Sequence, residues 1–177
     1  MESSPPDSLV LGVDPGLQIT GYGLVYREAG QLRILEAGVL RTRRDQPLQQ
    51  RLADLHRGLR EVIDHFQPGV MALENLYSHY QRPQTAILMG HARGVICLAA
   101  AQIPIPLVHY AATQVKKLLT GSGHAPKRQI QEAIRREFGL QTAPEPPDVA
   151  DSLAIAVCHL HFSRLRPTVQ RTGDPLG

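Results

Sequence analysis

The sequence has few cysteines, no tryptophan and no unbroken apolar run long enough to cross a membrane. Of its 177 residues, only Cys97 and Cys158 carry thiols, and both lie inside apolar segments. This excludes a disulfide framework and fits a reducing compartment, so we expect a cytoplasmic protein. The most apolar segment, residues 94–108, is interrupted by one glutamine and two prolines, so we expect no membrane span. Residues 1–8 lack the basic and apolar regions of a secretory signal.

Charge is also modest, with 19 Lys and Arg against 16 Asp and Glu, a net charge of +3. A surplus of this size is common on solvated surfaces and by itself indicates an anionic partner only weakly. The length suits one domain, and the apolar fraction of 42% suits a packed core. We predict one folded domain over residues 9–165, a disordered segment over 1–8 and a flexible tail over 166–177.

Hydrophobic periodicity predicts a mixed α/β fold. The first three strands have short connections, which favours an antiparallel meander. The second helix is rich in small residues, which suits close packing against another element. The predicted strands are 9–13, 20–26, 32–40, 70–73 and 104–110, and the predicted helices are 48–66, 84–102, 113–119, 127–138 and 148–164. This order predicts a five-stranded mixed sheet with helices on both faces.

Four carboxylates stand where ordinary surface acids are not expected. Asp14 and Glu74 end apolar strands, where α/β sheets form their sites. Asp148 and Asp151 are three residues apart at the start of the last helix, so they share one helix face. Two alternatives stay open at this point: Asp14 precedes Pro-Gly and suits a turn, and Asp148 suits a helix cap.

Several carboxylates grouped on an apolar surface are electrostatically costly unless a cation joins them. A hard divalent ion such as Mg²⁺ prefers oxygen ligands. Two such ions about 3.5–4 Å apart activate a water and stabilise the leaving oxygen of a phosphodiester. The four carboxylates therefore favour a metal-dependent phosphodiesterase.

Basic residues cluster after the fifth strand. Residues 116–137 contain six basic side chains, among them Lys116, Lys117, Lys127 and Arg128, against two glutamates. The glycine-bearing loop 121–126 and the helix start that follows suit contact with phosphates. The alternative is a solvated charged face.

Tyr77 and Tyr80 follow Glu74 closely, where stacking on an unpaired base would bring a phosphate near the carboxylates. A tyrosine in the core is the alternative. Cys158 and His159 lie near a further histidine but lack the spacing of a structural zinc site, so we assign them to packing.

Six segments resemble, in order, those of the RuvC Holliday-junction resolvases. They are residues 11–17 (LGVDPGL), 20–23 (TGYG), 72–77 (ALENLY), 90–95 (GHARGV), 114–117 (QVKK) and 147–156 (PDVADSLAIA). The similarity runs from about residue 9 to residue 162. Each motif alone is weak, but the ordered set is specific.

The resemblance implies a ribonuclease H-like fold and a homodimeric endodeoxyribonuclease that nicks two strands of a Holliday junction symmetrically in DNA recombination and repair. It implies Mg²⁺ or Mn²⁺, two ions per subunit, and the branch-migration motor RuvA and RuvB as partner, without a nucleotide cofactor. The family's catalytic and metal-binding carboxylates fall on Asp14, Glu74, Asp148 and Asp151. Its junction-probing aromatic and its DNA lysines fall on Tyr77, Lys116 and Lys127.

Three other functions fit parts of the pattern. Sugar and acetate kinases of the actin-like superfamily also begin with Asp-x-Gly strands, but they need two such domains and a second phosphate loop. A non-catalytic junction-binding module would not need four carboxylates. An RNA-processing nuclease would share the fold but match the segment from Lys116 to Lys127 less closely.

Overall fold

The computed structural model describes residues 9–75 and 83–165, and five strands form one sheet in the order β3-β2-β1-β4-β5. The strands are β1 (Val10–Asp14), β2 (Ile19–Glu28), β3 (Gln31–Arg41), β4 (Val70–Glu74) and β5 (Leu107–Tyr110). The first three strands are antiparallel, as their short connections predicted, while β4 and β5 run parallel to β1. The predicted mixed α/β sheet is confirmed. The predicted terminal segments, 1–8 and 166–177, lie outside the described residues.

Five helices connect and cover the strands. They are α1 (Leu48–Phe66), α2 (Pro83–Gln102), α3 (Ala112–Thr120), α4 (Lys127–Glu137) and α5 (Pro147–Leu165). Each lies within two residues of its predicted bounds. None of the helices in the described part of the chain is both long and apolar enough to span a membrane.

The fifth strand is shorter than predicted, since it begins at Leu107 rather than at residue 104. Pro104 and Pro106 lack backbone N–H groups, so this stretch cannot donate regularly to a ladder. The carbonyl of Pro106 still accepts a bond from Met71 N at 2.9 Å. The apolar run is therefore a strand only over its last four residues.

Strand residues alternate between two cores on opposite faces of the sheet. Val10 and Ala72 pack with α5, whereas Leu11 and Met71 pack with α1 and α2. Because side chains alternate along a strand, residues at even positions of β1 and β4 face α5. Asp14 and Glu74 are both at even positions, so the two carboxylates project to the same face of the sheet.

Two glycines allow α5 to lie directly on the sheet. A Cβ on Gly12 would overlap the backbone oxygen of Ser152, and a Cβ on Gly21 would overlap that of Asp148. A larger residue at either of these two positions would push α5 outward. The close approach brings the first turn of α5 against the sheet edge where β1 and β4 end.

Candidate active site

Three of the predicted carboxylates meet in one cleft. Asp14 from the end of β1, Glu74 from the end of β4 and Asp151 from α5 line a cavity of about 130 Å³. Parallel strands end at the same edge of a sheet, which explains why two positions 60 residues apart come together. The remaining lining residues are two lysines, Lys116 and Lys127, and apolar side chains of α3, α4 and α5.

The cleft destabilises the ionised form of Asp14. Burial raises the pKa of Asp14 well above its ordinary value, and Asp151 and Glu74 raise it further because they are like charges. Lys127 acts in the opposite direction, and Asp148 adds a smaller increase. The cleft therefore favours the neutral form of the Asp14 carboxyl more than water does.

Glu74 is perturbed in the same direction. Burial and the charge of Asp151 raise its pKa, while Lys116, Lys127 and a side-chain hydrogen bond with Asp14 lower it. The cleft therefore opposes negative charge on both carboxyl groups, and this is the charge that a metal ion would balance.

Lys127, the first residue of α4, forms an ion pair with Asp151. Its Nζ donates to Asp151 Oδ2 at 3.0 Å, and the side chains are 68% and 20% exposed. Burial alone lowers the pKa of Lys127, but the hydrogen bond and the attraction of Asp151 outweigh it, and the pKa is raised. Lys127 therefore stays protonated and balances part of the negative charge of the cleft.

Asp148 stands apart from the other three carboxylates. It lies in the first turn of α5 and affects the pKa of both Asp14 and Lys127, but it does not line the cleft. The helix begins at Pro147, so Asp148 lies inside the first turn rather than at the N-cap position. The structure therefore places Asp148 at the rim of the cluster.

The donor atoms of the cleft suit a hard divalent cation, because all of them are carboxylate oxygens. Within residues 9–75 and 83–165, no three Asp, Glu, His or Cys side chains are arranged to enclose one ion. Asp151 instead contacts Lys127. The residues fit a metal ion if it replaces the Lys127 ammonium as the partner of the carboxylates.

The predicted DNA-binding residues fall into two groups. Lys116 lines the cleft and Lys127 stands at its mouth, whereas Lys117 and Arg128 are exposed beside them on α3 and α4. Tyr77 lies outside the described residues. The N-cap of α4 is Pro126, whose carbonyl accepts from the N–H groups of Gln129 and Ile130 and which gives no side-chain cap.

Two basic residues of the predicted patch are engaged elsewhere. Arg135 and Arg136 both donate to Glu132 at 2.8 Å. This double contact lowers the pKa of Glu132 to about 2. Fewer basic side chains are therefore available to the cleft than the six counted in the sequence.

The histidine and cysteine pair of α5 belongs to the core. Cys158 is buried, which raises the pKa of its thiol to about 12. His159 Nδ1 lies 2.9 Å from the hydroxyl of Tyr110, and burial lowers the pKa of the imidazole. These positions agree with a role in packing.

The patterns in the sequence did not single out Arg93. The guanidinium of Arg93 on α2 donates to the backbone carbonyl of Glu74 at 2.5 Å. The only signal in the sequence is that α2 has no other Lys, Arg, Asp or Glu.

A five-stranded mixed sheet that brings carboxylates together at the ends of β1 and β4 and on the last helix is the architecture of a ribonuclease H-like nuclease. The model of one family, described as crossover junction endodeoxyribonuclease RuvC, matches residues 10–159. The chain belongs to this family, an enzyme family of metal-dependent nucleases, and the predicted family, fold and enzyme class are confirmed.

Relatives and solved structures agree with this assignment. The crossover junction endodeoxyribonuclease RuvC of Rhodopirellula baltica is 55% identical over 151 residues, 85% of each chain. The protein of the same name from Moorella thermoacetica is 45% identical over 89% of this chain and 94% of its own. A structure of "T. thermophilus RuvC in complex with Holliday junction substrate" matches with a TM-score of 0.82, 34% identity and coverage of 89% and 96%. The yeast mitochondrial resolvase Ydc2, at 19% identity and a TM-score of 0.63 over 92% and 82%, supports the fold alone.

Proposed function

We propose that the protein resolves Holliday junctions by cutting two strands symmetrically through metal-dependent hydrolysis that leaves 5′-phosphate ends. One observation carries the proposal: Asp14, Glu74 and Asp151 meet in a cleft whose mouth carries Lys127, in a chain of the RuvC family. The match to a RuvC structure with a Holliday junction substrate supports a four-way junction as the substrate. The kinase alternative loses its basis, because the family is a nuclease family.

Asp14, Glu74 and Asp151 would hold the metal, with Asp148 completing the set from the rim. The chemistry that two bound Mg²⁺ or Mn²⁺ ions supply is a lowered pKa for the attacking water and charge stabilisation at the leaving 3′ oxygen. Burial raises the pKa of Asp14 and of Glu74, so protons compete more strongly with a cation for these carboxylates. Metal binding is therefore linked to pH.

Lys127 has a distinct role once the carboxylates hold metal. Its ammonium is two-thirds exposed and reaches the mouth of the cleft from the start of α4. Released from Asp151, it is free to contact the phosphate next to the cut. Lys116 lines the cleft and offsets charge there, since it already lowers the pKa of Glu74.

Around the cleft, phosphate contacts would position the DNA arms without reading their sequence. Lys117 and Arg128 are exposed beside the two cleft lysines, and the N-terminus of α4 adds partial positive charge. Tyr77 follows Glu74 by three residues, so a base stacked on it would lie near the scissile phosphate. These residues form the proposed DNA interface.

The proposed homodimer uses α2 as its contact. Ile87, His91, Gly94 and Leu98 are all exposed and recur at helical spacing, so they form one stripe along α2. Ile87 is 60% and Leu98 51% exposed, which is unfavourable unless a partner covers them. A symmetric dimer places one cleft on each of two strands of a two-fold junction. The proposed partner at the same junction is the RuvA and RuvB motor.

The proposal is tested with a synthetic immobile junction labelled in turn on each strand. Wild-type protein and Asp14→Asn are incubated with the junction in Mg²⁺, in Mn²⁺ and in excess EDTA, and the nicks are mapped on all four arms. We expect paired nicks on two strands with wild type and metal only, and retained binding without cutting for Asp14→Asn. Cutting by Asp14→Asn, or junction binding without any metal-dependent cutting by wild type, would overturn the proposal.

A further inference from the structure

The end of β4 leaves the backbone carbonyl of Glu74 without a donor from the sheet. The N–H of Met71 donates to the carbonyl of Pro106, just before β5, at 2.9 Å, and the N–H of Asn75 donates to that of Tyr110 in β5 at 2.8 Å. Backbone groups alternate in direction along a strand, so the carbonyl of Glu74 faces β1. If the parallel pairing of β1 with β4 continued by one residue, the carbonyl of Glu74 would accept a hydrogen bond from the backbone N–H of residue 15. Residue 15 is a proline and has no N–H.

Arg93 of α2 supplies the missing donor. Its Nη1 donates to the carbonyl of Glu74 at 2.5 Å. Its Nη2 donates to Nδ1 of His109 on β5 at 2.9 Å and lies 3.5 Å from Oδ1 of Asn75. The planar guanidinium holds its donors in fixed directions, so it joins α2 to the ends of two neighbouring strands.

The acceptors of Arg93 show what the contact does. They are a backbone carbonyl, an amide oxygen and an imidazole nitrogen, and none of them is a carboxylate. A half-buried guanidinium in an otherwise uncharged helix is costly unless its hydrogen bonds are made. The arrangement therefore fixes the positions of backbone groups rather than forming an ion pair.

We propose that Arg93 is a positioning residue for Glu74 in the metal-dependent reaction. The inference rests on the proposed function, because it takes Glu74 to be a metal ligand. The peptide that carries the Glu74 carbonyl is held on its β5 side, because its N–H is that of Asn75 and donates to Tyr110. On its β1 side the sheet offers no donor. Arg93 holds that carbonyl, and with it the direction of the Glu74 side chain, without touching the substrate.

The test measures metal binding directly. Mn²⁺ affinity is determined by electron paramagnetic resonance on the full chain without DNA, and the Mg²⁺ dependence of junction cutting is measured alongside. For Arg93→Met we expect about 10- to 100-fold weaker Mn²⁺ binding, the usual effect of removing a group that orients a metal ligand. The same factor is expected in the Mg²⁺ concentration for half-maximal cutting, with junction affinity in EDTA within about twofold of wild type.

Arg60→Met is the matched control. Arg60 also carries a half-buried guanidinium that reaches α2, through Gln102 at 3.5 Å, but at the other end of the helix from Glu74. We expect it to alter thermal stability and to leave Mn²⁺ affinity unchanged. Arg93→Lys keeps the charge but has one ammonium for acceptors on two strands, so we expect an intermediate Mn²⁺ affinity. This variant carries the test if Arg93→Met does not fold.

Pro15→Ala provides a rescue that a purely structural role would not show. It restores an N–H at position 15, opposite the carbonyl of Glu74. In the Arg93→Met background it is expected to recover part of the lost Mn²⁺ affinity. A double variant no better than Arg93→Met would contradict the role of Arg93 as the replacement for the ladder donor.

The inference would be overturned if Arg93→Met bound Mn²⁺ as tightly as the wild type, or if Arg60→Met lost as much Mn²⁺ affinity as Arg93→Met. Either result would leave the proposed function intact, provided that the wild-type protein cuts junctions. Absence of metal-dependent cutting by wild type would instead remove the proposed function. The Mn²⁺ titrations separate the two failures, because they need no nuclease activity.

Discussion

Replacing Asp14 with Asn should make the metal-free protein more stable and remove its stabilisation by metal. In the wild type, burial and the neighbouring carboxylates disfavour the Asp14 charge. An amide of the same shape removes the charge. We expect a gain of about 1 kcal/mol, typical when strain at an active site is relieved. For a chain of this size that is about 2–4 °C in melting temperature.

Bound metal should make the wild type more stable than Asp14→Asn. At about 100 times its dissociation constant, a ligand adds about 2.7 kcal/mol to the stability of the state that binds it, or roughly 5–11 °C here. Wild type should gain this amount from Mg²⁺, whereas Asp14→Asn should gain little. Thermal unfolding followed by circular dichroism, in EDTA and in Mg²⁺, measures both effects.

The pH dependence follows from the direction of the pKa shift. The pKa of Asp14 is raised in the folded state, so the folded chain binds more protons than the unfolded chain between the two values. Without metal, the contribution of Asp14 to stability is present at low pH and is lost as pH rises through the folded-state pKa. Stabilisation by Mg²⁺ should grow over the same interval, because the metal competes with the proton.

Asp14→Asn should flatten both pH profiles. The reasoning would be refuted by a variant that is less stable than wild type in EDTA and still gains the full increment from Mg²⁺. That outcome would mean that Asp14 stabilises the apoprotein and does not bind metal.

Three further predictions concern residues around the cleft and in the core. Lys127→Ala should weaken junction binding across all sequences and lower the slope of log affinity against log salt by about one, measured by fluorescence anisotropy; an unchanged slope would exclude a phosphate contact. Tyr77→Ala should reduce the single-turnover cutting rate more than junction affinity, and equal losses would count against stacking. His159→Gln should make stability less sensitive to acid. Burial lowers the pKa of His159 in the folded state below its ordinary 6.5, so the wild type loses stability as pH falls from 6.5 through the folded-state pKa. The same change of melting temperature with pH in both proteins would contradict this.

Most of the fold was predictable because its signals are local. The apolar run before Asp14, the helical period from Leu48 to Phe66 and the Pro-Gly that ends this helix each specify an element through a short stretch of chain. The first strand of a parallel pair must end at the same edge as its neighbour, so Asp14 and Glu74 were expected to meet. The start of β5 was misplaced because an apolar run with two prolines cannot form a full ladder.

The site residues that depend on partners distant in sequence were not predictable. The pattern of charges gave no sign that Asp148 stands at the rim while Asp151 enters the cleft and meets Lys127. The role of Arg93 follows from the missing N–H at Pro15. This missing donor matters only because β1 and β4 are paired in the folded sheet. Each outcome depends on which side chains the packed helices bring within hydrogen-bond distance.

By itself, the sequence determined the order of strands and helices, the family and the four acidic positions, because periodicity and motif spacing are properties of a single chain. Tertiary structure alone decided that Asp151 pairs with Lys127 and that three of the four carboxylates line one cleft. It also decided that a guanidinium from α2 replaces a backbone donor at the end of β4. The physical reason is that the free energy of a charge or an unpaired carbonyl depends on the groups packed around it, and these come from distant parts of the chain.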